Sequence, residues 1–281
     1  MHLLMILTVL AVSGVLRQSW THPQGNWDLR WRKTLFVFLF PPLLILMTAI
    51  AILCMSPQSN MGGMYTGWLS YILAFTFLTF FSVLCIKLAV QGWQSLHSAR
   101  QCPLVNHQDQ QIRILNTEAL FAGQIGFWQP ELVISQGLLQ KLSPDHVESV
   151  LAHEQGHFYY RDTFWFFWLG WVRSCTAWLP NTDALWQELL VLRELRADSY
   201  AAAQVDPLLL AESLLLVVSD GTVLAKSEIC CAALGDHAGY RLEQRIQALL
   251  APPDPTPEPQ LQSWHSFLLA FLPLVAVIFH T

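Results

Sequence analysis

Charge is scarce in this chain of 281 residues: acidic and basic side chains together make up 12% of it, about half the share found in an ordinary soluble domain. Set against 53% apolar residues, that scarcity excludes a protein that hides all its apolar surface in one water-surrounded core. Basic residues are few, 15 against 20 acids, and they cluster only at Leu29-Arg30-Trp31-Arg32-Lys33, which excludes a dedicated nucleic-acid surface. The six cysteines (Cys54, Cys85, Cys102, Cys175, Cys230 and Cys231) show no C-x-x-C spacing, which argues against a disulfide scaffold or a cysteine zinc site. Internal repeats are absent as well.

What the chain has in quantity is apolar sequence gathered into runs. Four runs read as membrane spans, residues 1–16, 34–55, 68–90 and 264–280, since a bilayer core takes about 20 apolar residues of helix and the short terminal runs lean on their flanks. The first run has no basic leading segment and no small-x-small cleavage site, so it reads as a retained anchor rather than a signal peptide. Arg17, Arg30, Arg32 and Lys33 lie between the first two spans, whereas the loop 56–67 carries no charge. The first loop is therefore cytoplasmic, and so is the long segment that follows the third span. The expected organisation is a three-helix transmembrane region over 1–90, a cytoplasmic domain over 91–250, a proline-rich linker over 251–263 and a transmembrane helix over 264–281. The lipid bilayer is the first partner this implies.

Within the cytoplasmic segment stands Leu151-Ala152-His153-Glu154-Gln155-Gly156-His157, an H-E-x-x-H pattern. Residues four apart share one face of a helix, so His153 and His157 can present their imidazoles to one zinc ion with Glu154 beside it as general base. Ser143-Pro144 supplies a cap and a first-turn proline, and Val147, Val150 and Leu151 an apolar stripe. A second helical stretch follows, in which Glu194 and Asp198 are again four apart. A catalytic zinc takes three protein ligands and keeps an open position, so Glu194 supplies the third. Asp198 is then placed to fix the tautomer of a ligating histidine. The bland alternative pairs Glu194 and Asp198 with Arg193 and Arg196 on a solvated face.

A shared ion also bears on a fifth apolar stretch, residues 163–179. Only 36 residues lie between His157 and Glu194, room for at most one crossing, which would put the ligands on opposite sides of the membrane. This stretch is therefore expected to be an interfacial or re-entrant helix, anchored by Trp165, Trp168, Trp171 and Trp178. The run Glu131-Leu132-Val133-Ile134-Ser135 reads as a short strand, and an exposed edge there could bind an extended substrate.

The order of Gln129-Pro-Glu-Leu-Val-Ile-Ser135, Val150-Leu-Ala-His-Glu-Gln-Gly-His157, Arg161-Asp162, Trp178-Leu-Pro180, Arg193-Glu-Leu-Arg-Ala-Asp198 and Arg241-Leu-Glu-Gln-Arg-Ile246 resembles the BlaR/MecR-type membrane zinc metallopeptidases. It is similar also to their HtpX-type and CAAX-prenyl-protease relatives. The resemblance implies a mainly α, integral membrane protein: four transmembrane helices, a cytoplasmic α+β gluzincin-like metallopeptidase domain, and a membrane-associated helix at 163–179. It implies one zinc per chain held by His153, His157 and Glu194, with Glu154 as base and Asp198 behind the ligands. It places the protein in a bacterial plasma membrane with its active site on the cytoplasmic side. His237 and Arg241 become candidates for stabilising the oxyanion. The implied substrate is a protein or peptide such as a BlaI/MecI-type repressor. Two alternatives are a quality-control or processing protease of HtpX/CAAX type and a non-enzymatic zinc-binding membrane scaffold.

Overall fold

A computed structural model describes residues 2–21, 26–55, 60–61, 64–65, 68–107, 110–219, 238–251 and 265–278. In chain order its elements are α1 (His2–Gln18), α2 (Trp27–Cys54), β1 (Asn60–Met61), β2 (Met64–Tyr65), α3 (Trp68–Arg100), β3 (Leu104–His107), β4 (Gln110–Leu115), β5 (Ala122–Ile125) and β6 (Glu131–Ser135). There follow α4 (Gln136–Lys141), α5 (Pro144–Tyr159), α6 (Asp162–Cys175), α7 (Thr182–Ala202), α8 (Pro207–Ser219), α9 (Ala238–Leu250), α10 (His265–Leu268), a 3₁₀ turn (Leu269–Phe271) and α11 (Leu272–Ile278). The chain packs as two compact units, one of residues 1–86, 169–189 and 254–281, the other of 87–168 and 190–253.

Among the described residues the regular elements of the first unit are helices apart from the two-residue antiparallel pair β1–β2. Its α2 continues past Pro41 and Pro42. Neither proline has an N–H, so the carbonyls of Val37 and Phe38 lose their in-helix donors. Arg17 answers one of these: its Nη2 donates to the Phe38 carbonyl at 2.9 Å and its Nη1 to Thr182 Oγ1 at 3.2 Å, with the guanidinium 5.2 Å from the Phe38 ring centre. Arg30 donates to Glu188 at 2.6 Å. Arg17 and Arg30, which look like flanking charges in the sequence, are thus engaged inside this unit. Phe40, Leu44 and Ile45 of α2 pack with Val9 and Ala270 as its core.

Among the described residues two helices, α2 and α3, are long and apolar enough to cross a membrane. The first expected span forms α1, of 17 residues. The last is described only over 265–278 and is split into α10, the 3₁₀ turn and α11; Pro273 has no N–H to return to the Leu269 carbonyl, so the helix resets there. The linker 251–263 lies outside the described residues apart from Ala251. Residues 169–189, assigned from sequence to the cytoplasmic domain, pack with the first unit: Trp171 Nε1 donates to the Phe81 carbonyl at 2.9 Å. The apolar stretch around them forms α6, whose 14 residues are too few to cross a bilayer.

In the second unit a four-stranded sheet has the order β3-β4-β6-β5, with β4 and β6 parallel and the outer pairs antiparallel. One face of it, through Ile112, Leu132 and Ile134, packs on Leu138 and Leu142 and on Val147 and Val150 of α5. The strand Glu131–Ser135 is therefore not the exposed edge expected of it. Its backbone is paired on both sides, with β4 and with β5, and Val133 and Ile134 are fully buried. The sheet edge on that side belongs to β5, which packs against α5, and Gln124 Nε2 donates to the Glu154 carbonyl at 3.4 Å.

Candidate active site

The site starts from α5. Ser143 caps it by accepting the His146 N–H, Pro144 opens its first turn, and Val147 and Val150 bury one side in the sheet core. That leaves His153 and His157, one turn apart, on another side of the helix. Gly156 decides what meets them. A Cβ at this position would sit 3.1 Å from both Cα and the carbonyl oxygen of Ala197, so α5 and α7 touch almost backbone to backbone. This contact brings Glu194 and Asp198 of α7 against the two histidines.

One side-chain nitrogen or oxygen from each of His153, His157 and Glu194 lies within 4.8 Å of the others. The two Nε2 atoms are 3.1 Å apart, and the Glu194 carboxylate oxygens stand 3.5 Å from His153 Nε2 and 3.8 Å from His157 Nε2. Each Nδ1 faces a carboxylate of its own: His153 lies 2.8 Å from Asp198 Oδ1, and His157 2.7 Å from Asp162 Oδ2. In the tautomers that leave both Nε2 atoms unprotonated, the two lone pairs share one small space, which is unfavourable unless a cation occupies it. Two imidazoles and a carboxylate at these separations suit a tetrahedral ion with bonds of about 2.0–2.2 Å. The donor set therefore fits zinc, or another borderline divalent metal.

Three arginines complete the cluster. Arg193 donates to Glu194 at 2.6 Å, Arg245 donates to Asp198 at 2.7 Å and lies 3.1 Å from Glu194, and Arg196 pairs with Asp162. Burial by itself would raise the carboxyl of Glu194, but Arg193 and Arg245 hold it well below the usual carboxylate range. Asp198 is buried too and is likewise held low, chiefly by Arg245. For His153, burial favours the neutral ring, yet contact with Asp198 and Glu194 outweighs it and lifts the pKa to about 9 in the metal-free chain. The solvated-face alternative fails on burial: Glu194 does pair with Arg193, but both carboxylates lie in the interior and Arg196 goes to Asp162.

These shifts have opposite signs in pH. The raised His153 contributes stability that is complete below its ordinary pKa of about 6.5 and is lost as pH climbs through about 9. The lowered Glu194 and Asp198 contribute stability that is complete above their ordinary values of about 4 and is lost as pH falls through their depressed ones. Chelated protein is thus expected to melt highest between about pH 4.5 and 6.5. Added zinc should remove the alkaline loss, because it binds the neutral ring. Melting temperature against pH, with and without zinc, checks this.

Of the residues singled out from sequence, His153, His157, Glu194 and Asp198 come together, and Glu154 is buried next to them on α5. His237 lies outside the described residues, and of Arg241 only the backbone is described, on α9. Glu131 turns away to an ion-pair cluster with Arg100 and Arg113, which hold its carboxyl low against the opposing effect of burial. Asp162 and Arg245 belong to the site without being singled out by spacing. Both stood in the quoted motifs, but their partners are set by packing: Arg161, with φ of 53°, breaks the chain after α5 and swings Asp162 back to His157. Asp162→Asn is expected to weaken zinc binding by about 10- to 100-fold, measurable by competition with a chromophoric chelator.

No curated protein and no solved structure matches the chain. A family model does, over residues 99–215, which is less than half of the chain but includes the sheet, α5, and the stretch of α7 bearing Glu194 and Asp198. That model is Peptidase family M48, so the segment around this buried His-His-Glu cluster is supported as a metallopeptidase domain.

Proposed function

We propose that this protein is a membrane-embedded zinc metalloendopeptidase that hydrolyses peptide bonds at the cytoplasmic face, in regulatory cleavage of a cytoplasmic protein of the BlaI/MecI repressor type. The observation that carries the enzymatic part is the convergence of two histidine Nε2 atoms, 3.1 Å apart, on a buried glutamate, with a carboxylate behind each ring. His153, His157 and Glu194 would hold the metal. When bound, zinc supplies Lewis acidity at the scissile carbonyl and lowers the pKa of water. Glu154 takes a proton from the attacking water on its carboxylate and returns it to the leaving amine. Asp198 and Asp162 keep the imidazoles oriented, and Arg193 and Arg245 keep Glu194 ionised. An extended substrate would add to the β5 edge, whose backbone is paired only with β6 among the described residues. The cytoplasmic placement rests on the basic loop between the first two apolar runs.

Detergent-purified protein is expected to hold about one zinc per chain and to cut a co-encoded repressor. Chelation should stop cleavage and zinc should restore it. Cleavage that survives full removal of metal would sink the metallopeptidase assignment. Preference for an unfolded membrane protein over the repressor would replace the regulatory role with quality control, and metal binding without cleavage of either would leave a scaffold.

A further inference from the structure

Behind the metal helix lies a surface that the peptidase chemistry does not use. Gln155 and Tyr159 project from the side of α5 opposite His153 and His157, towards the turn 126–130 that joins β5 to β6. Gly126 has φ of 136°, and a Cβ there would sit 3.0 Å from Pro130 Cα, so the turn is tight and its tip is thrown outward. Phe127 is pinned inward against Phe164 and Phe167 of α6, with ring centres 4.9 and 5.0 Å away. Trp128, whose ring centre is 5.0 Å from that of Phe164, is 74% exposed. Beside it Trp165, Phe158 and Tyr159 are also exposed. Between Trp128, Phe158, Phe164 and Tyr200 opens a cleft of about 410 Å³. Its lining includes Arg161 and no acid, and Arg161 makes no ion pair among the described residues.

An aromatic surface of this kind marks a contact site. Three features identify what covers it. Its tryptophans and tyrosines have apolar bodies and polar tips, the composition that settles at a lipid–water boundary. Its one charge is positive and makes no ion pair among the described residues, which complements anionic headgroups. A second copy docked face to face would instead set Arg161 against itself. The same chain also carries two helices apolar and long enough to cross a bilayer, so under the membrane reading proposed above a lipid surface is always within reach.

We infer that the turn 126–130 seats in the headgroup layer of an anionic bilayer beside the interfacial start of α6, with Trp128 as its anchor and Arg161 reaching a lipid phosphate. The inference rests on the membrane reading and adds a consequence to it. β5 ends at Ile125, immediately before the turn, so docking holds the substrate edge at the membrane surface. Bonds close to the bilayer are cut in preference to distant ones.

The test uses the full chain in nanodiscs of phosphatidylcholine and phosphatidylglycerol, with a fluorescent amino acid in place of Trp128 or, as a control, of the exposed Val105 on β3. Zinc content confirms that each variant is folded. Lipids carrying a spin label in the headgroup region are expected to quench position 128 several-fold more than position 105, and Arg161→Ala should reduce that difference when phosphatidylglycerol is present. Equal quenching at the two positions overturns the docking. So does shielding of position 128 from aqueous iodide without lipid quenching, which would assign the surface to a protein partner. Failure of the wild-type chain to enter nanodiscs would overturn the membrane reading itself, an outcome distinct from entry without contact at position 128.

Discussion

Glu154→Gln is expected to lower peptide cleavage by at least about 100-fold and to leave zinc content at about one per chain. The amide keeps the size of the carboxylate and cannot accept the proton that hydrolysis releases. None of the three converging donors is touched, since these belong to His153, His157 and Glu194. The loss should fall on kcat with KM little changed, because the missing interaction is made while the bond is breaking. Glu154 is buried and acts on the charges of Arg193 and Arg245, so its replacement removes one of the acids that balance those arginines. Melting temperature therefore belongs in the same experiment. A folded, zinc-loaded variant that still cleaves at wild-type rate would remove Glu154 from the chemistry.

Gly156→Val is expected to destabilise the protein by about 1–3 kcal/mol and to abolish zinc retention on dialysis. The first added carbon already meets Ala197 backbone at 3.1 Å, and two further carbons have nowhere to go unless α5 and α7 separate. Because the histidines ride on one of these helices and Glu194 on the other, separation opens the metal site directly. A shift of about 1 Å is enough to lose an active geometry. Gly156→Ala should show the same effects in weaker form. The measurement is zinc per chain alongside the urea midpoint, and a valine variant with full zinc would show that the helix contact does not set the site.

The parts of this protein that are legible in its sequence are those governed by local spacing. His153 and His157, and again Glu194 and Asp198, are four residues apart, and any helix must then show each pair on one face. The cap at Ser143-Pro144 is equally local. Strand β6 is readable as a strand from Leu132, Val133 and Ile134, but not as an interior one, since that depends on β4 and β5 arriving on either side. The end of α6 is also hidden, because the apolar run continues beyond Cys175 while the helix does not. Arg17 and Arg30 show what spacing cannot reach, namely the partner. Their position between apolar runs suggests flanking charge, yet their partners Thr182 and Glu188 lie more than 150 residues further along the chain. Arg245 stood within a quoted motif, and only the packing of α9 shows that it serves Asp198 and Glu194.

Arg17 and Pro42 also constrain how this sequence can drift. Pro42 removes the donor that the Phe38 carbonyl needs, and Arg17 replaces it from another helix. A mutation that loses the arginine first strands a carbonyl in apolar surroundings, at a cost of about 1–3 kcal/mol. A mutation that loses the proline first restores an N–H to the same oxygen, whose two lone pairs accept from both donors, so Arg17 keeps its acceptor. The proline therefore depends on the arginine, and the arginine does not depend on the proline. The two positions form an asymmetric epistatic pair, in which loss of the proline is expected to precede loss of the arginine.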